Sequence, residues 1–165
     1  MSTASVISVV DDHASVRASM SNFLRSVSYV VHTFGSAEEF LGSACLGDTS
    51  SVISDLQMSP MNGLELLAKM RMRGYAAPFI FITAFFDESV RAGAMKAGAT
   101  GFFAKPVAMP EPDRMSGCRA AIGLSGLTEL LRGAAIYRTA PPRSQQHRSA
   151  WWRGLYRLEP RSQRV

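Results

Sequence analysis

The sequence is poor in cysteine and contains no long hydrophobic run. Its two cysteines, Cys45 and Cys118, form no CxxC pair, so free thiols in a reducing compartment are expected, and a disulfide or zinc site is not. No apolar run reaches the roughly 18 residues that a membrane helix needs. The N-terminus also lacks the basic start of a secretory signal. These absences favour a cytoplasmic protein that does not contact the membrane.

Lysine is absent after Lys105, although ten arginines follow it. With four acidic residues, they give residues 106–165 a net charge of +6, whereas residues 1–105 carry −1. A chain of 165 residues with 47% hydrophobic content can form one buried domain and an appendage. The charge division therefore predicts a nearly neutral body followed by a basic tail.

Five short apolar runs in the body predict the strands of a parallel sheet, because they are apolar at consecutive positions and not at alternate ones. The runs are Val6–Val10, Tyr29–Phe34, Val52–Leu56, Phe79–Thr83 and Thr100–Ala104. Capping residues predict helix starts at Ser36, Asn62 and Asp87, and glycines predict helix ends at Gly74 and Gly98. Alternating strands and helices are typical of an α/β fold with right-handed crossovers.

Chemically active side chains stand where four of the predicted strands end. Asp11 and Asp12 follow the first strand, Asp55 is on the third, Thr83 ends the fourth and Lys105 follows the fifth. Functional groups gather beyond the carboxyl ends of such strands, so these side chains are expected in one site. Their charges sum to −2, which one divalent cation neutralises, and an oxygen-only ligand set favours Mg²⁺. Beside this ion Asp55 can act as a nucleophile toward a phosphoryl group, with the charge on the phosphoryl oxygens stabilised by Thr83 and Lys105.

The sequence resembles the receiver domains of two-component response regulators, and among them the FixJ-like group. The resemblance rests on "VVDD", "SDLQMSPMNGLELL", "FITAF" and "AMKAGATGFFAKPV", in this order over about residues 4–108. It implies a flavodoxin-like (βα)5 three-layer sandwich with strand order 2-1-3-4-5. It also implies a signalling switch and not an enzyme, in which a sensor histidine kinase supplies the phosphoryl group that Asp55 accepts.

The same resemblance implies roles for individual residues. Thr83 and Lys105 would contact the phosphoryl oxygens, and Phe102 would move with Thr83 on phosphorylation. The bond between Lys105 and Pro106 would be cis, and a homodimer would form through the face made by helix 4, strand 5 and helix 5. The implied Mg²⁺ ligands are Asp11, Asp12, Asp55 and the backbone carbonyl of Gln57.

Three positions depart from the family pattern. Proline usually stands four residues after the phosphoacceptor, where this chain has Ser59 followed by Pro60. A third acid is common where this chain has His13; neither this histidine nor the other two has metal-ligand spacing, so surface or loop positions are expected. Phe85, two residues after Thr83, is bulky beside the expected phosphoryl group, and we expect it to slow the attack of water on that group.

The predicted domain division is a receiver domain over residues 1–122 and a basic tail over residues 123–165. Residues 112–123 can form an atypical fifth helix, weakened by Gly117, and a short amphipathic helix is predicted through Leu127, Leu130 and Leu131. The tail is rich in Arg, Pro and Trp and has no helix-turn-helix pattern. A loosely packed basic segment is favoured for it, and a shifted reading frame is a further explanation.

Two other functions compete with the signalling switch. Arginines interleaved with aromatic residues can bind DNA by phosphate neutralisation and stacking, so the tail alone could act as a DNA-binding segment. An aspartate-nucleophile phosphatase of the haloacid-dehalogenase type would use Asp55, but that chemistry usually needs an acid two residues later, where Gln57 stands. The switch is favoured over both.

Overall fold

The computed structural model describes residues 5–105, 127–128 and 131. The strands are β1 (Val6–Val10), β2 (Val30–Phe34), β3 (Ser51–Asp55), β4 (Phe79–Thr83) and β5 (Gly101–Ala104). The helices of residues 5–105 are α1 (Ala14–Ser26), α2 (Ala37–Leu41), α3 (Gly63–Met72) and α4 (Glu88–Lys96), with a short 3-10 helix at Ala44–Leu46. All strand pairs are parallel, in the order β2-β1-β3-β4-β5, which confirms the predicted topology.

Four strand boundaries differ from the predicted ones by one residue, namely the starts of β2 and β5 and both ends of β3, while β1 and β4 have the predicted bounds. Tyr29 lies outside β2 because its N–H donates to the carbonyl of Leu24, which closes the turn after α1. β3 begins at Ser51, a polar residue that apolarity alone excludes; it is buried and is paired in register with Ile7. β5 begins at Gly101, one residue after the predicted Thr100.

The predicted capping residues begin α2 and α3. Asn62 and Glu65 form a complete capping box, in which each side chain accepts a hydrogen bond from the other residue's N–H at 2.9 Å. At α2 the hydroxyl of Ser36 accepts from the N–H of Glu39, but the Glu39 carboxylate accepts from the N–H of Gly35 and not from that of Ser36. The capping box predicted at α2 is therefore only half present.

The helix α4 is capped by Asp87 as predicted. Its carboxylate accepts hydrogen bonds from the Ser89 hydroxyl and from the N–H groups of Val90 and Ser89, and these bonds lower the pKa of Asp87. The chain leaves α3 and α4 through Gly74 (φ +83°) and Gly98 (φ +100°). Both glycines have left-handed backbone, which suits glycine at a helix end.

Two apolar clusters cover the sheet, because successive strand side chains point to opposite faces. Phe79 and Phe81 of β4 lie in the first cluster with buried side chains of α2, α3 and α4. Ile80 and Ile82 of the same strand lie in the second cluster with α1. The helices therefore form a layer on each face of the sheet, as predicted for a three-layer sandwich.

The second cluster also contains Leu127 and Leu131, whose side chains are completely buried and whose backbone is helical, as predicted. Both lie beyond residue 122, where the sequence predicts the receiver domain to end. The division itself stays a prediction, but these leucines show that part of the following segment packs on the sheet beside α1. The fifth helix predicted at 112–123 lies outside the described residues.

None of the helices among the described residues is long and apolar enough to cross a membrane. Cys45 is a free, half-buried thiol beside the first cluster, while Cys118 lies outside the described residues.

We predict that Leu131→Ala destabilises the full chain by about 2–5 kcal/mol, because it leaves a cavity in the second cluster. Met72→Ala is the matched control, since that side chain is 86% exposed on a helix and its loss should change stability by less than about 0.5 kcal/mol. Urea unfolding measures both free energies. Equal losses in the two variants would contradict the placement of Leu131 in the core.

Candidate functional site

The predicted site residues stand at one edge of the sheet, where β1, β3, β4 and β5 end. The Nζ atom of Lys105 lies 2.6 Å from Oδ2 of Asp11 and 2.7 Å from Oδ2 of Asp55. Both carboxylates are buried, and the lysine side chain is only 14% exposed. One ammonium group therefore bridges two carboxylates that come from different strands.

The pKa of Lys105 is raised above its ordinary value. Burial alone would lower it, and this is the largest single effect. The hydrogen bonds from Nζ to Asp11 and Asp55, together with the charges of the two carboxylates, outweigh burial. The ammonium form is therefore the one that the folded protein stabilises.

The second oxygens of the buried carboxylates are held by backbone N–H groups. Oδ1 of Asp11 accepts from the N–H of His13 at 2.8 Å, and Oδ1 of Asp55 accepts from the N–H of Gln57 at 3.2 Å. Each carboxylate is thus bonded on both sides, which orients it before any ligand binds. The backbone of Gln57, predicted to supply a carbonyl ligand, lies directly beside Asp55.

A cluster of four groups at this edge can hold a metal ion. Asp11, Asp12, His13 and Asp55 each offer one ligand atom, and these atoms lie within 4.8 Å of one another. The three carboxylates and Lys105 together carry −2, so a divalent cation neutralises the pocket. Carboxylate oxygens are the ligands that Mg²⁺ prefers, so the donor set fits the ion that the sequence predicts.

The sequence predicts a loop or surface position for His13, and the structure adds this residue to the cluster of possible metal ligands. Its side chain is 67% exposed, as expected, but Nδ1 lies 2.6 Å from Oδ1 of Asp12 and 3.4 Å from Oδ1 of Asp11. The sequence feature that points to this role is the position of His13 directly after Asp11 and Asp12, the two predicted metal ligands.

Thr83 is buried at the end of β4, and its backbone carbonyl accepts a hydrogen bond from the N–H of Lys105 at 2.7 Å. Its hydroxyl oxygen accepts from the N–H of Phe85 at 3.2 Å. Within residues 5–105 no hydrogen bond joins this hydroxyl to the acidic pocket. Thr83 is therefore beside the site but is held by the loop that follows β4.

Two neighbouring aromatic residues on this loop differ in their contacts. Phe85 is 68% exposed, whereas the ring of Phe86 packs edge-on against Phe102 with the centroids 5.6 Å apart. Phe102 is buried on β5 and also contacts Phe81, at 6.0 Å between centroids. The residue predicted to move with Thr83 thus contacts the same loop that holds the Thr83 hydroxyl.

A cleft of about 490 Å³ lies beside the acidic pocket, lined by Asp12, Gln57 and Asn62 among others. It gives solvent a route to the site between β1 and the segment after β3. The bond between Ser59 and Pro60 in this segment is cis. The bond predicted to be cis, between Lys105 and Pro106, lies outside the described residues.

Gly63, the first residue of α3, was also missed by sequence reasoning. A Cβ atom there would collide with the backbone carbonyl oxygen of Asp55 and lie 2.8 Å from Cε1 of Phe81. Only a residue without a side chain lets the start of α3 approach the end of β3 this closely. The signal was a glycine directly after the capping Asn62, where most helices have a better helix former.

Comparison with known proteins gives a consistent result. The pattern of the response regulator receiver domain matches residues 7–114. The chain is 38% identical to the transcriptional regulatory protein TdiR of Thauera aromatica, over 74% of this chain and 53% of that protein. It is 34% identical to the transcriptional regulatory protein FixJ of Bradyrhizobium diazoefficiens, over 70% of this chain and 55% of that protein. The chain thus spans about half the length of these relatives.

Among solved structures, the fold is similar to that of the chemotaxis response regulator CheY4 of Vibrio cholerae. The TM-score is 0.59 at 28% identity, over 67% of this chain and 92% of the other.

We predict that Gly63→Ala destabilises the protein by about 1–3 kcal/mol, because the added methyl group overpacks the contact with β3. Gly93→Ala is the matched control: its Cβ would meet nothing within 4 Å in α4, and a gain of about 0.5–1 kcal/mol is expected from helix propensity. Thermal or urea unfolding measures both. The interpretation of Gly63 is wrong if the two substitutions change stability in the same direction.

Proposed function

This chain belongs to the family of response regulator receiver domains, and from that premise we propose that Asp55 accepts a phosphoryl group from a sensor histidine kinase in an Mg²⁺-dependent reaction. The observation that carries the proposal is the bridge from Lys105 to Asp11 and Asp55. This contact supports the proposal because it joins an ammonium group to two buried carboxylates, one of them Asp55, at one edge of the sheet. The result of the reaction is a change of conformation and not turnover of a substrate.

The proposed Mg²⁺ ligands are Asp11, Asp12, Asp55 and the backbone carbonyl of Gln57. When bound, the ion would neutralise the pocket and polarise the phosphoryl oxygens. The oxygen of Asp55 attacks phosphorus as the bond from phosphorus to the donor's imidazole nitrogen breaks, and that nitrogen keeps the electron pair. The ammonium of Lys105, already fixed at the site, stabilises the added negative charge.

The hydroxyl of Thr83 is proposed to be the detector of the phosphoryl group. The hydroxyl accepts from the N–H of Phe85 and donates to the backbone carbonyl of Phe85 at 3.4 Å. Phosphoryl oxygens beside Asp55 are also acceptors, so they would compete with this carbonyl for the hydroxyl proton. Movement of this hydroxyl would release the loop on which Phe86 contacts Phe102. The change at Asp55 would thereby reach α4 and β5.

The proposed partners follow from the surfaces that lie beside the site and beside the Phe86–Phe102 contact. A sensor histidine kinase would approach the open cleft beside Asp12. A homodimer would use the face of α4 and β5, where Phe86 and Met95 are exposed, together with a fifth helix that lies outside the described residues. Because TdiR and FixJ are named as regulators of transcription, control of transcription in the cytoplasm is the proposed output.

The competing functions have less support. The basic tail over 123–165, including any DNA contact it makes, lies mostly outside the described residues. A phosphatase of the aspartate-nucleophile type needs an acid where Gln57 stands, and the neutral amide of this side chain cannot serve as that acid. Steady hydrolysis of phosphate esters is therefore not expected.

We predict that incubation with acetyl phosphate and Mg²⁺ puts one acid- and base-labile phosphoryl group on the protein, and that Asp55→Asn abolishes it. Asp48→Asn, at an exposed acid away from the site, should leave it unchanged. Intact-protein mass spectrometry and hydroxylamine treatment detect the group. Labelling that persists in Asp55→Asn, or steady turnover of p-nitrophenyl phosphate, would refute the assignment.

We also predict that Phe85→Ala speeds the loss of the phosphoryl group by up to about tenfold, which is about 1.4 kcal/mol in activation free energy. The exposed phenyl ring lies on the loop that holds Thr83, where it would hinder the attacking water. The rate of phosphoryl loss from the denatured protein, in which no side chain covers Asp55, is the reference. An unchanged rate in the folded variant would show that Phe85 does not shield the site.

A further inference from the structure

We infer that His13 is a specificity-determining ligand, which makes the acidic pocket favour first-row transition ions such as Co²⁺ more strongly over Mg²⁺ than three carboxylates alone would. The inference rests on the metal site of the proposed function and adds one residue to it. An imidazole nitrogen is a borderline donor that suits transition ions, whereas Mg²⁺ prefers oxygen.

The distances support a shared ion. Nδ1 of His13 lies 2.6 Å from a carboxylate oxygen of Asp12 and 3.4 Å from one of Asp11, and all four groups of the cluster lie within 4.8 Å. Ligands of an octahedral ion at about 2.1 Å lie about 3 to 4.2 Å apart. The separation from Asp11 lies in this range, whereas the shorter one from Asp12 is that of a hydrogen bond. The His13 side chain would rotate to open this contact and let both atoms reach one ion.

The backbone of His13 is fixed by hydrogen bonds, whereas its exposed ring contacts the carboxylates of Asp11 and Asp12. The residue is the N-cap of α1: its carbonyl accepts from the N–H groups of Val16 and Arg17 at 3.1 Å, and its own N–H donates to Asp11. The ring is 67% exposed. Rotation of the side chain can therefore redirect Nδ1 without moving α1 or the carboxylates.

The side chain of His13 does not cap the helix α1. The N-cap position favours Ser, Thr, Asp or Asn, whose oxygen accepts a backbone N–H, whereas His13 makes no such bond. Its ring instead lies against Asp12. This position therefore carries a nitrogen donor beside the acids where a good capping residue would serve α1 better.

An imidazole that binds a metal ion does so in its neutral form, so it adds a donor without adding charge. The carboxylates and Lys105 carry −2, so any divalent ion gains the same neutralisation from them. The additional preference for a transition ion then comes from the nitrogen donor of His13. Removing His13 should weaken Co²⁺ binding by about tenfold or more and change Mg²⁺ binding by less than about threefold.

The test is His13→Asn in the full chain, because asparagine is a favoured N-cap and keeps α1 intact. His32→Asn is the matched control, since His32 lies on β2 and outside the cluster. Calorimetry gives the affinities for Mg²⁺ and Co²⁺, and the visible absorption of bound Co²⁺ reports a nitrogen ligand. Labelling by acetyl phosphate with Mg²⁺ is measured on the same samples.

A loss of Co²⁺ affinity in His13→Asn that exceeds any loss of Mg²⁺ affinity by about tenfold, together with a shifted Co²⁺ spectrum, supports the inference. An unchanged ratio of the two affinities overturns it and leaves the proposed function standing. An equal loss in His32→Asn also overturns it, since Co²⁺ would then bind outside the pocket. If the unsubstituted protein binds neither ion and is not labelled, both the inference and the proposed function fail.

Discussion

The contact on which the site depends is the double ion pair of Lys105 with Asp11 and Asp55. Two buried carboxylates at the ends of neighbouring strands repel each other and lose their hydration, and a buried charge without a partner is strongly destabilising. One ammonium group within 2.7 Å of both relieves this repulsion. Lys105 pairs with Asp11 and Asp55 but not with Asp12 among the described residues. The three acids and the lysine therefore remain negative together, which suits the pocket to a divalent ion.

The parallel sheet makes this contact possible. In parallel strands all carboxyl ends lie at the same edge, so residues far apart in the chain reach one another there. Lys105 and Asp11 are 94 positions apart. The apolar clusters on both faces hold β1, β3, β4 and β5 in register, and Gly63 lets α3 begin directly beside Asp55. Packing in the core and geometry at the site are therefore coupled through the strand ends.

The loop after β4 links the site to the surface. The hydroxyl of Thr83 is bonded to this loop, and Phe86 on the loop packs against buried Phe102. A weak neutral hydrogen bond and one aromatic contact hold this arrangement, each with a stabilisation of about 1 kcal/mol. A phosphoryl group beside Asp55 would offer charged acceptors to the same hydroxyl, and charged hydrogen bonds are stronger. The proposed switch thus exchanges a weak contact for a stronger one.

The amino-acid pattern was enough to predict the strand–helix alternation, the capping of α3 and α4, and the acids, hydroxyl and lysine at the strand ends. These features are local, since apolar runs and capping residues act within a few positions of themselves. Four contacts could be seen only in the folded chain: Lys105 with Asp11 and Asp55, His13 with the acids, Gly63 with Asp55, and Leu127 and Leu131 with the cluster beside α1. These are contacts between separate elements, and their distances depend on how the layers pack, which no local pattern contains.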